Sequence, residues 1–286
     1  MRYRFLKEHR GELGPIRKAC KTLRVSKSGF YEFLGRRKSN TQIEREALEG
    51  FVAEVFEEHR HRYGYRRINK ELRKNGIVVS DKRVLNVMRK LGLQGKGATR
   101  KWRPQRQYQP GDPRLNLVEQ VFTVPERNRL WVGDITYIPT GEGWLYLATV
   151  IDAWSRKVVG WSMSNRITED LAIDAINQAV GRENPGDGLV FHDDQGAQYT
   201  SRAYQRCLEK HGITQSVSRP GNPYDNAVAE SFFKTLKREL VNGRHYETRE
   251  EAKQDIFKYI ELYYNTKRTH SALGYKSPAE FERESA

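Results

Sequence analysis

Apolar positions recur at two different periods along this chain. Up to about residue 93 the spacing is helical: Ile16, Ala19, Cys20 and Leu23, then Leu48, Phe51, Val52, Val55 and Phe56, then Ile68 and Leu72, then Val84, Leu85, Val87, Met88 and Leu91. Repeats of three and four residues put one apolar face on each helix. Pro15 suits a first helical turn, Ser26 and Ser80 are placed to cap, and Gly64 and Gly76 punctuate. Two short helices are therefore predicted over 14–36, and further helices over 41–93. From about residue 118 the pattern changes. Residues 130–138, 144–151 and 157–163 are rich in β-branched and aromatic side chains and are joined by turn residues at 139–143 and 152–156, which reads as three strands. A helix capped by Thr168 follows, then a strand over 189–192, a helix over 201–211, a strand over 213–217 and a long helix over 226–240. That order predicts an α/β fold, a mixed sheet with an antiparallel start and helices on its faces.

Composition narrows the function. A length of 286 residues with 37% hydrophobic side chains allows one large domain or two to three small ones. The longest nearly apolar stretch, 145–151, is too short to span a bilayer, and the first residues lack the apolar core of a signal peptide, so a cytoplasmic protein with no membrane partner is expected. Cys20 and Cys207 are too far apart in sequence for a paired-cysteine zinc site and too few for a disulfide framework. The net charge of +15 is unevenly placed: residues 1–110 hold 29 Lys and Arg against 11 Asp and Glu, net +18, and the remainder is net −3. An excess confined to one part of a chain fits neutralisation of phosphates, so a nucleic-acid partner is predicted for the basic part.

Three segments are candidates for that contact. In Val25-Ser-Lys-Ser-Gly-Phe-Tyr31, a capped second helix would present Lys27 and Ser28 in its first turn, as in a helix-turn-helix; an ordinary helical hairpin reads equally well. Tyr63-Gly-Tyr-Arg-Arg67 interleaves aromatics with Arg66 and Arg67, either to meet phosphates or as a solvated helix start. Residues 94–110 carry five Lys and Arg, Lys101 and Arg103 among them, with two prolines and no acid. They read as an extended basic linker along a nucleic-acid backbone, or as chain without a fold of its own.

Three acids stand where packing does not call for one. Asp134 is central in an apolar and aromatic strand, Asp194 closes Leu189-Val-Phe-His-Asp-Asp194, and Glu230 lies on an apolar-leaning helix. Singly they could be a buried salt bridge, a strand-end turn residue and an exposed helix position. Converging, they form the hard oxygen set that magnesium needs for phosphoryl chemistry. Lys234 and Lys237, four and seven residues after Glu230, fall on its helix face, beside the metal site and toward the phosphate backbone; a plain intrahelical Glu–Lys pair would explain Lys234 but not Lys237. The preceding loop, 219–225, contains a glycine and two prolines, and Asp225 or Asn226 can cap the helix.

These segments, Trp131-Val-Gly-Asp-Ile-Thr-Tyr-Ile138, His192-Asp-Asp-Gln-Gly-Ala-Gln-Tyr-Thr-Ser201 and Asn222-Pro-Tyr-Asp-Asn-Ala-Val-Ala-Glu-Ser-Phe-Phe233, resemble the catalytic segments of bacterial insertion-sequence transposases of the OrfB type, which share the retroviral-integrase core. Thirty-five residues separate Asp194 from Glu230, the spacing of that group's Asp, Asp, 35, Glu signature, and this spacing selects Asp194 over Asp193. The stretches 151–161, 63–67 and 264–281 join the resemblance, which covers nearly the whole chain. It implies a ribonuclease-H-like five-stranded sheet behind an all-helical DNA-binding region. The divisions would be a helix-turn-helix-like segment (1–38), a helical DNA-binding domain (39–93), a basic linker (94–117), the catalytic core (118–245) and a helical extension (246–286). It implies Asp134, Asp194 and Glu230 as catalytic residues and as ligands of two Mg2+ ions, with Mn2+ able to substitute. Lys237 matches a residue that contacts the transposon end. The implied activity is cutting and joining of element ends on double-stranded DNA, terminal inverted repeats and target, by a homo-oligomer. The OrfA product of an upstream frame is an expected partner or fusion; a chain starting at Met1 with no heptad run reads as the downstream product alone. The retroviral His/Cys zinc domain has no counterpart here. A non-catalytic DNA-binding regulator of transposition and a structure-specific nuclease are the alternative readings.

Overall fold

A computed structural model describes residues 2–35, 39–96, 116–194, 196–218 and 223–285. The strands appear where β-branched and aromatic residues concentrate: β1 (Leu130–Thr140), β2 (Gly143–Asp152), β3 (Val158–Ser164), β4 (Val190–Asp193) and β5 (Thr214–Val217). They form one sheet in the order β3-β2-β1-β4-β5. The first three are antiparallel neighbours, and β4 and β5 join in parallel on the other side of β1. This is the ribonuclease-H-like arrangement, reached because β1 to β3 are hairpin-connected while β4 and β5 each follow a helical crossover.

Alternation along the strands divides the core in two. Trp131, Ala148, Val150, Val159 and Phe191 face α7 (Glu169–Glu183) and α8 (Arg202–Lys210). Val132, Leu145, Leu147, Ile151 and Val158 face α9 (Ala227–Leu236) and α10 (Arg249–Tyr259). Gly160 admits α7 to the sheet, since a Cβ there would lie 2.2 Å from the Ala175 carbonyl oxygen. The chain ends in α11 (Pro278–Ser285).

The N-terminal part is helical. Helices α1 (Arg2–Glu8), α2 (Ile16–Thr22) and α3 (Lys27–Gly35) close on a small core of Leu6, Ala19, Cys20 and Phe30. The sequence pattern shows α2 and α3 but not α1, whose seven residues contribute a single buried side chain, Leu6. Helices α4 (Asn40–Glu58), α5 (Tyr65–Lys74) and α6 (Asp81–Lys90) follow, with Ser39 and Ser80 accepting from backbone amides at both capped starts. Their apolar faces, Leu48, Val52, Phe56, Ile68, Leu72 and Val84, belong to the same hydrophobic cluster as one side of the sheet. The helical segment and the core therefore share buried surface. Residues 97–115 of the expected basic linker, Lys101 and Arg103 among them, lie outside the described residues. Among the described residues, no helix is long and apolar enough to cross a membrane.

Candidate active site

Register brings the first two acids together. Parallel strands β1 and β4 pair Leu130 with Val190, Trp131 with Phe191 and Val132 with His192. Two residues on from that last pair come Asp134, on the same face of β1 as Val132 and so toward α9, and Asp194, which directly follows the end of β4 and whose charge acts on Asp134. Between them and the paired residues lies Gly133, where a Cβ would sit 2.3 Å from the Phe191 ring; only glycine lets β1 and β4 lie this close. Glu230, one turn into α9, completes the set. All three acids are half-buried.

The charges of the other two acids act on Asp134. Burial, then the charges of Asp194 and Glu230, push the Asp134 carboxyl up to about 7, against a hydrogen bond from the Ile135 amide (2.8 Å) and the charge of Lys237. Asp194 accepts from the Gly196 amide at 2.9 Å. Glu230 pairs with Lys234 at 2.5 Å, and the Lys237 ammonium lies 4.7 Å from the centre of the Tyr137 ring on β1. Lys234 thus forms an intrahelical pair with Glu230, whereas Lys237 is turned toward β1, where its charge acts on Asp134. Among the described residues, no three acidic, histidine or cysteine side chains gather closely enough to share one cation. The donor chemistry nevertheless fits a hard divalent ion: the donors are carboxylate oxygens, and the proton affinity that burial and its two acidic neighbours give Asp134 is what a cation would relieve.

Asp193 points the other way. It is fully buried beside α8, accepting from Gln215 Nε2 (3.0 Å) and Tyr204 Oη (3.4 Å), and burial holds it well above the ordinary carboxylate range. Below Asp194 lies a polar layer that the sequence pattern does not reveal. His192 Nδ1 meets Ser216 Oγ at 2.9 Å and its Nε2 meets Ser218 Oγ at 3.0 Å; burial brings this imidazole down to about 4, against Asp225. Asp225 and Asn226 also lie buried at the start of α9.

The residues expected to contact DNA divide. Lys27 and Ser28 are exposed at the start of α3, with the Ser28 hydroxyl 2.7 Å from that of Ser26. Arg66 is exposed beside Tyr65. Arg67 turns inward, 3.5 Å from Glu239. Glu239 belongs to a π-helical turn, Lys237–Val241, that continues α9 and shortens the single helix expected over 226–240. Against the penalty of burial, Arg268 (2.9 Å) and Arg67 keep the Glu239 carboxylate below its ordinary value, with Tyr259 Oη donating at 2.9 Å. Tyr63 is also buried, accepting from the Thr269 amide at 2.9 Å. Most of the 63–67 motif is thus a joint between the helical segment and residues 239–269. Partners some 200 positions away leave no local signal in the sequence.

Comparison with known proteins agrees with this architecture. Two families described as "Integrase core domain" match residues 124–223 and 211–278, and one described as "HTH-like domain" matches 42–102. The helix-turn-helix-like match thus falls on α4 to α6, whereas the sequence pattern alone suggests that motif over 14–36. The chain is 53% identical to the transposase for insertion sequence element IS904 of Lactococcus lactis over 87% of this chain and 98% of that one. It is 43% identical to transposase InsF for insertion sequence IS3A of Escherichia coli over 99% of this chain and 98% of that one. Among solved structures it is similar to the HTLV-2 integrase catalytic core domain in complex with magnesium, at 18% identity and a TM-score of 0.40, over 54% of this chain and 96% of that one. Identity at this level over nearly the full length, in a chain that matches both the integrase core and the HTH-like family models, means that the chain belongs to the IS3 family of insertion-sequence transposases.

Proposed function

We propose that this chain cuts and joins the ends of an insertion sequence with Asp134, Asp194 and Glu230 as its catalytic carboxylates. The observation that supports the reading is the register of β1 and β4, whose last pair, Val132 with His192, lies two residues before Asp134 and Asp194, together with the charges of Asp194 and Glu230 that act on Asp134. These three would hold two Mg2+ ions, or Mn2+ in their place. Bound there, the metal supplies the positive charge that polarises a phosphodiester and lowers the pKa of an attacking water or 3′-hydroxyl. Lys234 and Lys237 meet the phosphates that flank the scissile bond, and Asp193 serves the fold. Hydrolysis frees a 3′-hydroxyl at the element end, which then attacks a second phosphodiester, so no covalent enzyme intermediate and no nucleophilic side chain is required.

Double-stranded DNA, as inverted repeats and as target, is held by the basic part: Lys27, Ser28, Arg66, Lys101 and Arg103. Arg67 contributes through its joint with Glu239 rather than by touching phosphate. The divisions 1–38, 39–93, 94–117, 118–245 and 246–286 then follow function: end binding, linkage, chemistry and bracing. A homo-oligomer brings two ends together in the bacterial cytoplasm, with the OrfA product as partner or fusion.

The test incubates the full chain with a duplex carrying the terminal inverted repeat and MgCl2. Joined products are expected; cleavage alone would indicate a nuclease, and binding alone a regulator. Asp134→Asn, Asp194→Asn and Glu230→Gln are each expected to lower cleavage at least about 100-fold with DNA affinity unchanged. Asp193→Asn is expected to stay near wild type, and a loss equal to that of Asp194→Asn would overturn the assignment within that pair.

A further inference from the structure

The polar residues at the start of α9 are tied to two distant parts of the chain. Asp225 is fully buried, and both its oxygens are taken: Oδ2 accepts from Asn116 Nδ2 at 2.9 Å, and Oδ1 from Gln120 Nε2 at 3.0 Å. Asn116, itself 4% exposed, fixes its own turn, its Oδ1 accepting from the amides of Val118 (3.0 Å) and Glu119 (2.9 Å). The next residue along from Asp225, Asn226, donates from Nδ2 to the carbonyl of Gly133 at 3.1 Å. Gly133 precedes Asp134 and is pinned by Phe191, whereas Asn226 immediately precedes the helix that carries Glu230.

We propose that Asp225 and Asn226 are positioning residues, a clasp that sets Glu230 against Asp134 by fastening the Asn116 turn, β1 and the N-terminus of α9 at one point. The proposal rests on the reading of those acids as catalytic and adds how their spacing is held. A carboxylate buried with two amides contributes little net stability, because its desolvation offsets most of what the bonds give. What such a group provides is direction, since each bond fixes one atom against one partner. Glu230 lies four residues after Asn226, about 6 Å along a stiff helix, so a shift of the clasp reaches Glu230 undiminished. Asn116 lies at the end of the linker proposed over 94–117, six residues past its basic stretch, and the clasp is therefore where the core's incoming chain meets the catalytic helix.

The experiment exchanges the partners in the full chain. Asn116→Asp sets two carboxylates face to face. Adding Asp225→Asn restores one donor and one acceptor, and leaves an oxygen for Gln120 and another for the amides of Val118 and Glu119. With MgCl2 and a duplex carrying the terminal inverted repeat, Asn116→Asp is expected to lower kcat for joining about tenfold with KM for the duplex unchanged. It is also expected to raise the Mg2+ concentration for half-maximal rate. The double variant should return to within about twofold of wild type. Without DNA or metal, amide hydrogen exchange over residues 227–236 should quicken in Asn116→Asp and recover in the double variant, while α7 stays unchanged. Wild-type kcat in Asn116→Asp overturns the proposal, as does a double variant that regains its thermal midpoint but not its rate. If the wild-type chain processes no ends, the catalytic reading fails, and exchange decides the clasp alone: unchanged exchange over 227–236 in Asn116→Asp would sink it.

Discussion

Asp134 and Glu239 are both carboxylates withdrawn from water, and their surroundings drive them in opposite directions. Glu239 meets arginines and is held ionised, whereas Asp134 meets other acids, and burial together with Asp194 and Glu230 brings it up to about 7. The consequence for Asp134 has a definite sign. Between its unfolded pKa near 3.8 and its folded value near 7, the native state of the metal-free chain binds more protons than the unfolded state. Stability contributed by this group therefore falls as pH rises through that window and levels off above about 7. Thermal unfolding of wild type and Asp134→Asn in EDTA, at intervals from pH 5 to 8, measures it: the variant's advantage should grow with pH, and a constant difference would refute the assignment of cause. Millimolar MgCl2 should reduce that advantage above pH 7, since only the wild type keeps the full carboxylate set. Asp134 was legible in the sequence because a strand-centre acid among Trp131, Val132 and Ile135 has no packing reason to exist. Glu239 was not legible, because in Lys237-Arg-Glu-Leu-Val241 it reads as an ordinary surface helix position.

Among the elements, strands and helices were legible wherever one face packs against one layer. The five strands fall within two residues of their predicted bounds, since alternation and turn residues are local properties. The single helix expected over 226–240 fails for a tertiary reason. After Leu236 the chain widens into a π-helical turn that buries Glu239, Leu240 and Val241 in succession, which a regular helix with one buried face would not do. Turns of this kind persist where surrounding contacts hold them, and here the contacts are those of Glu239 with Arg268 and Arg67. Glu239→Gln leaves two inward-facing guanidiniums without their counter-charge and is expected to cost about 3 kcal/mol of stability. Chemical denaturation measures the loss. Glu239→Gln combined with Arg268→Met should lose less than the two single changes added together, because the second removes one of the charges left stranded. Strict additivity would show that the pair is not a unit.

On the scale of the whole molecule, charge and packing draw different boundaries. The net +18 of residues 1–110 ends near the start of the catalytic core, yet helices α4 to α6 share a hydrophobic cluster with the sheet, and Tyr63 and Arg67 reach residues 269 and 239. Charge asymmetry is readable from a sequence because it needs no partner, whereas shared packing depends on which distant faces meet. The proposed division of labour would then be electrostatic rather than a matter of separable bodies, so it is best tested by neutralising side chains in the intact chain. Replacing Lys27, Lys101 and Arg103 with glutamine should lower the slope of log affinity against log salt by about 0.9 for each phosphate that is no longer neutralised. The exposed Lys210 and Lys258, in the net-acidic remainder, serve as controls of equal charge type, and their replacement should leave the slope unchanged. Rates at saturating duplex should hold in both sets, because none of these side chains belongs to the proposed carboxylate site of Asp134, Asp194 and Glu230. Equal flattening of the slope in both sets would mean that DNA is gripped by the molecule's overall charge, and that the concentration of basic residues before the core has another cause.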